Sequence, residues 1–89
     1  MDLPFNERNI GENIFIREFK QETDSGDFQW HRDRENRIIS SIGITDWKIQ
    51  IDNQLPMSLN EKIFIPKGVW HRLIKGTGDL KIELVKFIN

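Results

Sequence analysis

Two histidines and one aspartate carry the strongest chemical signal in this sequence. The tripeptide Trp-His-Arg occurs twice, at 30–32 within QWHRDREN and at 70–72 within GVWHRLIK, and the two copies hold both histidines of the chain. In an extended segment, residues two apart point the same way. His31 and Asp33 therefore share one side and Trp30 and Arg32 the other, while His71 faces away from Trp70 and Arg72. If both histidine sides face inward, two imidazoles and a carboxylate converge. A 2-His-1-carboxylate set of this kind holds a divalent metal from one side and leaves positions open for a ligand. The plainer reading is a half-buried histidine hydrogen-bonded to an aspartate, with no metal.

The elements that must position these residues are short and regularly punctuated. Asp24-Ser25-Gly26, Asp52-Asn53, Pro56, Pro66-Lys67-Gly68 and Gly76-Thr77-Gly78 are turn chemistry. Between them, the segments at 12–19, 37–42, 46–52, 62–66, 69–75 and 80–87 read as strands. In DWKIQID, Trp47, Ile49 and Ile51 fall on one face; in LKIELVKF, Leu80, Ile82 and Leu84 oppose Lys81, Glu83 and Val85. Period 2 marks a strand with one face on a core. No window carries a helical stripe. The expectation is an all-β fold of one domain over 1–89, an antiparallel sandwich or β-barrel with little or no helix.

Composition removes several functions. The 89 residues carry a net charge of −1 with no basic block, which argues against nucleic acid as a partner. No apolar run approaches the length of a membrane span, and the start MDLPFNERN does not read as a signal peptide, so a cytoplasmic protein is expected. The chain has no cysteine, which excludes disulfides, thiol catalysis and thiolate metal sites. The remaining ligand types, His, Asp and Glu, suit zinc, iron, manganese or nickel.

IPKGVWH at 65–71 resembles the second motif of the cupin family, Pro-x-Gly-x-x-His, through Pro66, Gly68 and His71. HRDRENR at 31–37 resembles the first: His31 matches its first histidine, Asp33 stands where the second usually is, Arg37 or Ile38 stands where a glutamate is usual, and Gly43 falls near the closing glycine. The resemblance covers roughly 12–87 and implies a jelly roll with a mononuclear metal site. Its ligands would be His31, Asp33 and His71, and Glu35 is a candidate fourth. Cupins that retain fewer ligands include metal-free members. The resemblance also implies a homodimer.

Other residues have two readings each. Arg37, where the glutamate is expected, is suited to gripping a carboxylate or phosphate of a small anionic substrate. Alternatively it forms an internal ion pair with Asp33 or Glu35. Outward-facing Trp30 and Trp70 form an apolar patch that a dimer would cover. Alternatively they pack under the segment 1–11, with its Leu3, Phe5 and Ile10. Ser40 and Ser41 lack a nucleophile elbow, and KGTGD at 75–79 lies between strands and is a turn, not a phosphate loop. Three functions follow: a metal-dependent enzyme of dioxygenase, isomerase or lyase type, a non-catalytic binding module or sensor, and a metal-free interaction domain.

Overall fold

The computed structural model describes residues 5–22, 24 and 26–87. Among these residues eight strands run β1 (Phe5–Gly11), β2 (Ile14–Phe19), β3 (Asn36–Ser41), β4 (Lys48–Ile51), β5 (Met57–Ser58), β6 (Ile63–Ile65), β7 (His71–Ile74) and β8 (Leu80–Phe87). The helical content among the described residues is a single 3-10 turn at Gly26–Phe28. The strands form two antiparallel sheets, ordered β1-β2-β8-β3-β6 and β5-β4-β7. No hydrogen-bonded ladder closes them into a barrel among the described residues, so the architecture is all-β and jelly-roll-like.

The period-2 segments pack as their alternation requires. Leu80, Ile82 and Leu84 turn inward on β8, and Trp47, Ile49 and Ile51 do so before and along β4. Trp47 belongs to the core: it is fully buried between Phe19 and Phe28, and its indole Nε1 donates to the Gly78 carbonyl at 3.1 Å. Burying a side chain of this class contributes about 1.5–3 kcal/mol, so these inward rows hold the two sheets face to face.

Two strands were absent from the sequence expectation. The residues of β1 are mostly exposed and polar, and their strand character comes from pairing with β2 across a hairpin in which Asn13 takes φ 61°. Asparagine tolerates this left-handed conformation. β5 is two residues paired to the edge of β4. Because β1 is committed to β2, Phe5 lies against Phe19 and does not cover a tryptophan; Leu3 lies outside the described residues. The segment WHRD is not a full strand. Only His31 makes a β-bridge, and Arg32 and Asp33 are irregular.

Candidate metal centre

The Pro66-Lys67-Gly68 turn aims one half of the site. β6 stops at Ile65, Gly68 takes φ 77°, and His71 opens β7 with its ring inward, only 4% exposed. The other half is tied to this turn by the backbone. His31 and His71 exchange N–H···O bonds of 3.0 and 2.8 Å, Gly68 N–H donates to the Asp33 carbonyl at 2.8 Å, and Lys67 N–H donates to Asn36 Oδ1 at 2.9 Å. The short irregular segment 31–35 is thus held against the turn and the start of β7 without forming a strand of its own.

His31, Asp33 and His71 converge, each offering a ligand atom within 4.8 Å of the others. The imidazole rings stand edge to face with centroids 4.3 Å apart. Each Nδ1 lies against the backbone carbonyl two residues earlier: His31 against Gln29 O at 2.8 Å and His71 against Val69 O at 2.9 Å. A carbonyl only accepts, so both Nδ1 atoms carry the proton and both Nε2 atoms are left for another partner. Metal-ligating histidines are oriented by hydrogen bonds of this kind.

The partner of His71 Nε2 is Asp33 Oδ2, 3.1 Å away. That oxygen is buried and accepts no hydrogen bond. With a neutral His71, two lone pairs face each other across 3.1 Å, which is repulsive unless a cation or a proton lies between them. The spacing fits a shared metal: with bonds of about 2.1 Å, adjacent ligands are about 3.0 Å apart in an octahedron and about 3.4 Å apart in a tetrahedron. The donor set therefore fits a single divalent ion. Burial is the largest influence on the Asp33 carboxyl and acts to raise it. The contact with His71, the Arg37 guanidinium and, when the imidazoles are protonated, the charges of His71 and His31 together outweigh burial and hold the group below its usual range.

Arg37 makes the internal ion pair. Its Nε and Nη2 donate to Glu35 Oε1 at 2.9 and 2.6 Å, and Nη2 lies 3.3 Å from Asp33 Oδ1. Glu35 accordingly turns to Arg37 and lies outside the converging trio. Arg37 also lines a cavity together with Arg17, Asp27, His31 and His71, walled by aliphatic side chains and Phe19. That cavity has about 30 Å³ open to the centres of water-sized groups. This is room for an ion and about one further small group, since a water needs about 10–15 Å³ by this measure.

Two cavity residues escaped the sequence reading. Arg17 is buried on β2, bound to Glu7 Oε1 at 2.7 Å and to Asp27 Oδ2 at 3.4 Å, with its guanidinium 4.1 Å from the Phe5 ring. A signal existed: Arg17 shares parity with Phe15 and Phe19 on an otherwise apolar face of β2. Asp27 had none, because an aspartate after glycine in a turn looks solvated. Around the cavity four carboxylates (Glu7, Asp27, Asp33, Glu35) face two guanidiniums (Arg17, Arg37) through these ion pairs, and Lys86 adds a weaker contact to Glu7 at 4.0 Å from a partly exposed position.

No family model and no curated protein matches the chain by sequence. Solved structures match it by fold. A cupin-2 domain containing protein from Shewanella frigidimarina is 22% identical, with TM-score 0.65 over 96% of this chain and 82% of that one. A cupin domain from Bordetella pertussis is 15% identical, with TM-score 0.58 over 98% of each chain. A putative mannose-6-phosphate isomerase from Ralstonia eutropha is 12% identical, with TM-score 0.65 over 96% of this chain and 83% of that one. The fold is that of the cupins, and His31, Asp33 and His71 form a 2-His-1-carboxylate-like cluster capable of coordinating one divalent ion.

Proposed function

We propose that this cupin-fold chain, acting as one jelly-roll barrel over 1–89, binds a single divalent metal through His31 Nε2, His71 Nε2 and an Asp33 oxygen. Three protein ligands would leave a bound ion able to take a small anionic ligand. The observation that carries this reading is Asp33 Oδ2, buried without a hydrogen bond, 3.1 Å from an imidazole nitrogen whose ring proton is committed elsewhere. When bound, such a metal supplies a Lewis acid or, if iron, a centre for oxygen activation. The protein's own contribution is orientation. The Val69 and Gln29 carbonyls fix both rings, and Arg37 holds Asp33 and Glu35 in place. With Nε and Nη2 so engaged, Nη1 is the edge of Arg37 that would meet a carboxylate or phosphate of the ligand. Glu35 serves by fixing that guanidinium.

The reading is tested by purifying the protein without chelator, reconstituting it at neutral pH with iron, manganese, nickel or zinc, and measuring bound metal. About one equivalent is expected. Less than about a tenth of an equivalent overturns the reading, because a preformed site of three ligands should fill. The 3.1 Å contact would then be an imidazolium–carboxylate pair in a metal-free interaction domain.

A second reading, a sensor or binding module without turnover, is favoured by the small cavity of about 30 Å³, which leaves little room to enclose a reacting molecule. Metal-dependent consumption of a keto or hydroxy acid separates enzyme from module. The outward tryptophans and the lack of cysteine suit a homodimer in the reducing cytoplasm. No helix among the described residues is long and apolar enough to cross a membrane.

A further inference from the structure

The three-ligand reading leaves one carboxylate of the same cavity without a role. Asp27 lies on the 3-10 turn at Gly26–Phe28, four residues before His31, and lines the cavity with both histidines. Its Oδ1 stands 3.6 Å from His31 Nε2. Its Oδ2 stands 3.4 Å from Nη1 of Arg17, which is buried and held from its other side by Glu7. Arg17 is therefore a fixed counter-ion that keeps Asp27 turned into the cavity.

Resting on the metal reading above, we propose that Asp27 is a fourth protein ligand, making the centre a two-histidine, two-carboxylate site. The geometry around His31 carries this. Its proton is committed to the Gln29 carbonyl at Nδ1, so a neutral His31 sets the lone pair of Nε2 toward the carboxylate of Asp27 at 3.6 Å. This repeats the opposition between His71 and Asp33, and one divalent cation relieves both. The 3.6 Å spacing exceeds the edge of a coordination polyhedron by a few tenths of an ångström, about 3.0–3.4 Å being expected for bonds near 2.1 Å. Asp27 stands outside the trio whose ligand atoms lie within 4.8 Å of one another, so its side chain must rotate toward the other two ligands when the ion binds.

The fourth ligand bears on what else the ion could take. The cavity has room for an ion and about one further small group, so four protein atoms and one small oxygen ligand would fill it.

Cobalt(II) is the probe, because both its affinity and its visible d–d absorption report the ligand set. Wild-type protein, Asp27→Ala and Asp27→Asn are titrated at neutral pH. The expected result is one cobalt per wild-type chain, a loss of affinity of about tenfold or more in both variants, and shifted d–d bands. Asp27→Asn keeps a side-chain oxygen for Arg17 and removes the charge, so it carries the test if Asp27→Ala does not fold. Variants with affinity within about twofold of a metal-binding wild type and unchanged spectra overturn the fourth ligand and leave the three-ligand site standing. Wild-type protein that takes up no cobalt overturns both.

Discussion

His31 and His71 face each other across an antiparallel bridge, each N–H donating to the other's carbonyl at 3.0 and 2.8 Å. This register explains the repeated Trp-His-Arg. An antiparallel pairing centred on the histidines sets Trp30 opposite Arg72 and Arg32 opposite Trp70. The guanidiniums lie over the indoles at 4.9 and 5.1 Å from the ring centroids. Each tripeptide turns its histidine inward and offers an aromatic and a cation to its counterpart outside. The repeat is a local two-fold relationship, and the outer cross-strand pairs fix the register of the inner imidazoles.

Removing one outer partner should loosen this register. Trp30→Ala and Arg72→Ala, alone and together, should give a coupling energy of about 0.5–1 kcal/mol by denaturant unfolding, the range for exposed cation–π pairs. A coupling indistinguishable from zero would mean that the stacking contributes nothing.

The same face is the expected homodimer surface, since Trp30 and Trp70 remain 42% and 43% exposed despite the stacking. Light scattering at tens of micromolar, about the range in which a stable small dimer persists, should give twice the chain mass, and Trp70→Glu should give the monomer with an unchanged circular dichroism spectrum. A wild-type monomer under these conditions counts against the dimer.

His71→Ala should abolish metal binding, and Asp33→Asn should weaken it by about tenfold or more. Arg37→Ala should leave the metal stoichiometry at one and weaken a carboxylate ligand such as a small keto acid. Calorimetric titration of metal, then of ligand, separates the two effects. Loss of the metal itself in Arg37→Ala would assign Arg37 to the support of Asp33 alone.

The turn at 75–79 supplies a pH test away from the metal. Asp46 Oδ2 accepts the Thr77 hydroxyl at 2.7 Å and Oδ1 accepts the Thr77 N–H at 2.8 Å; these bonds, the side-chain one foremost, hold the Asp46 carboxyl below its ordinary 3.8. A carboxyl lowered in the folded state binds protons more readily when unfolded. Its contribution is present above the ordinary value and is lost as pH falls through the lowered one. Asp46→Asn should therefore lower the Tm at pH 7, and the difference from wild type should shrink below pH 3.8. A difference independent of pH would remove the carboxylate from the explanation.

Gly76 should tolerate no side chain. A Cβ there would lie 2.7 Å from the Trp47 backbone nitrogen and against Asp46, whereas one at Gly26 meets nothing within 4 Å. Gly76→Ala should cost about 1–3 kcal/mol and Gly26→Ala close to nothing, measured side by side by thermal unfolding. Equal Tm values for the two would contradict the packing around Trp47.

Local sequence was enough to group side chains by face. Period-2 alternation is local steric geometry, so Leu80, Ile82 and Leu84 could be read as one face and Trp47, Ile49 and Ile51 as another, while which face of the 46–52 segment points inward was not legible. The Pro-x-Gly turn before His71 is equally local, and parity alone put His31 and Asp33 on one side. The pairings, and with them the convergence of His31, Asp33 and His71, required the assembled fold. β1 is a strand because β2 offers it an edge, and its own residues, mostly polar and exposed, carry no alternation. The bridge between His31 and His71 joins segments far apart in sequence, and no local preference specifies that register. Arg17 and Asp27 became cavity residues for a related reason. A charged side chain is buried where a partner of opposite sign waits, and Glu7, Arg17 and Asp27 come together only when β1, β2 and the 3-10 turn are assembled around one cavity.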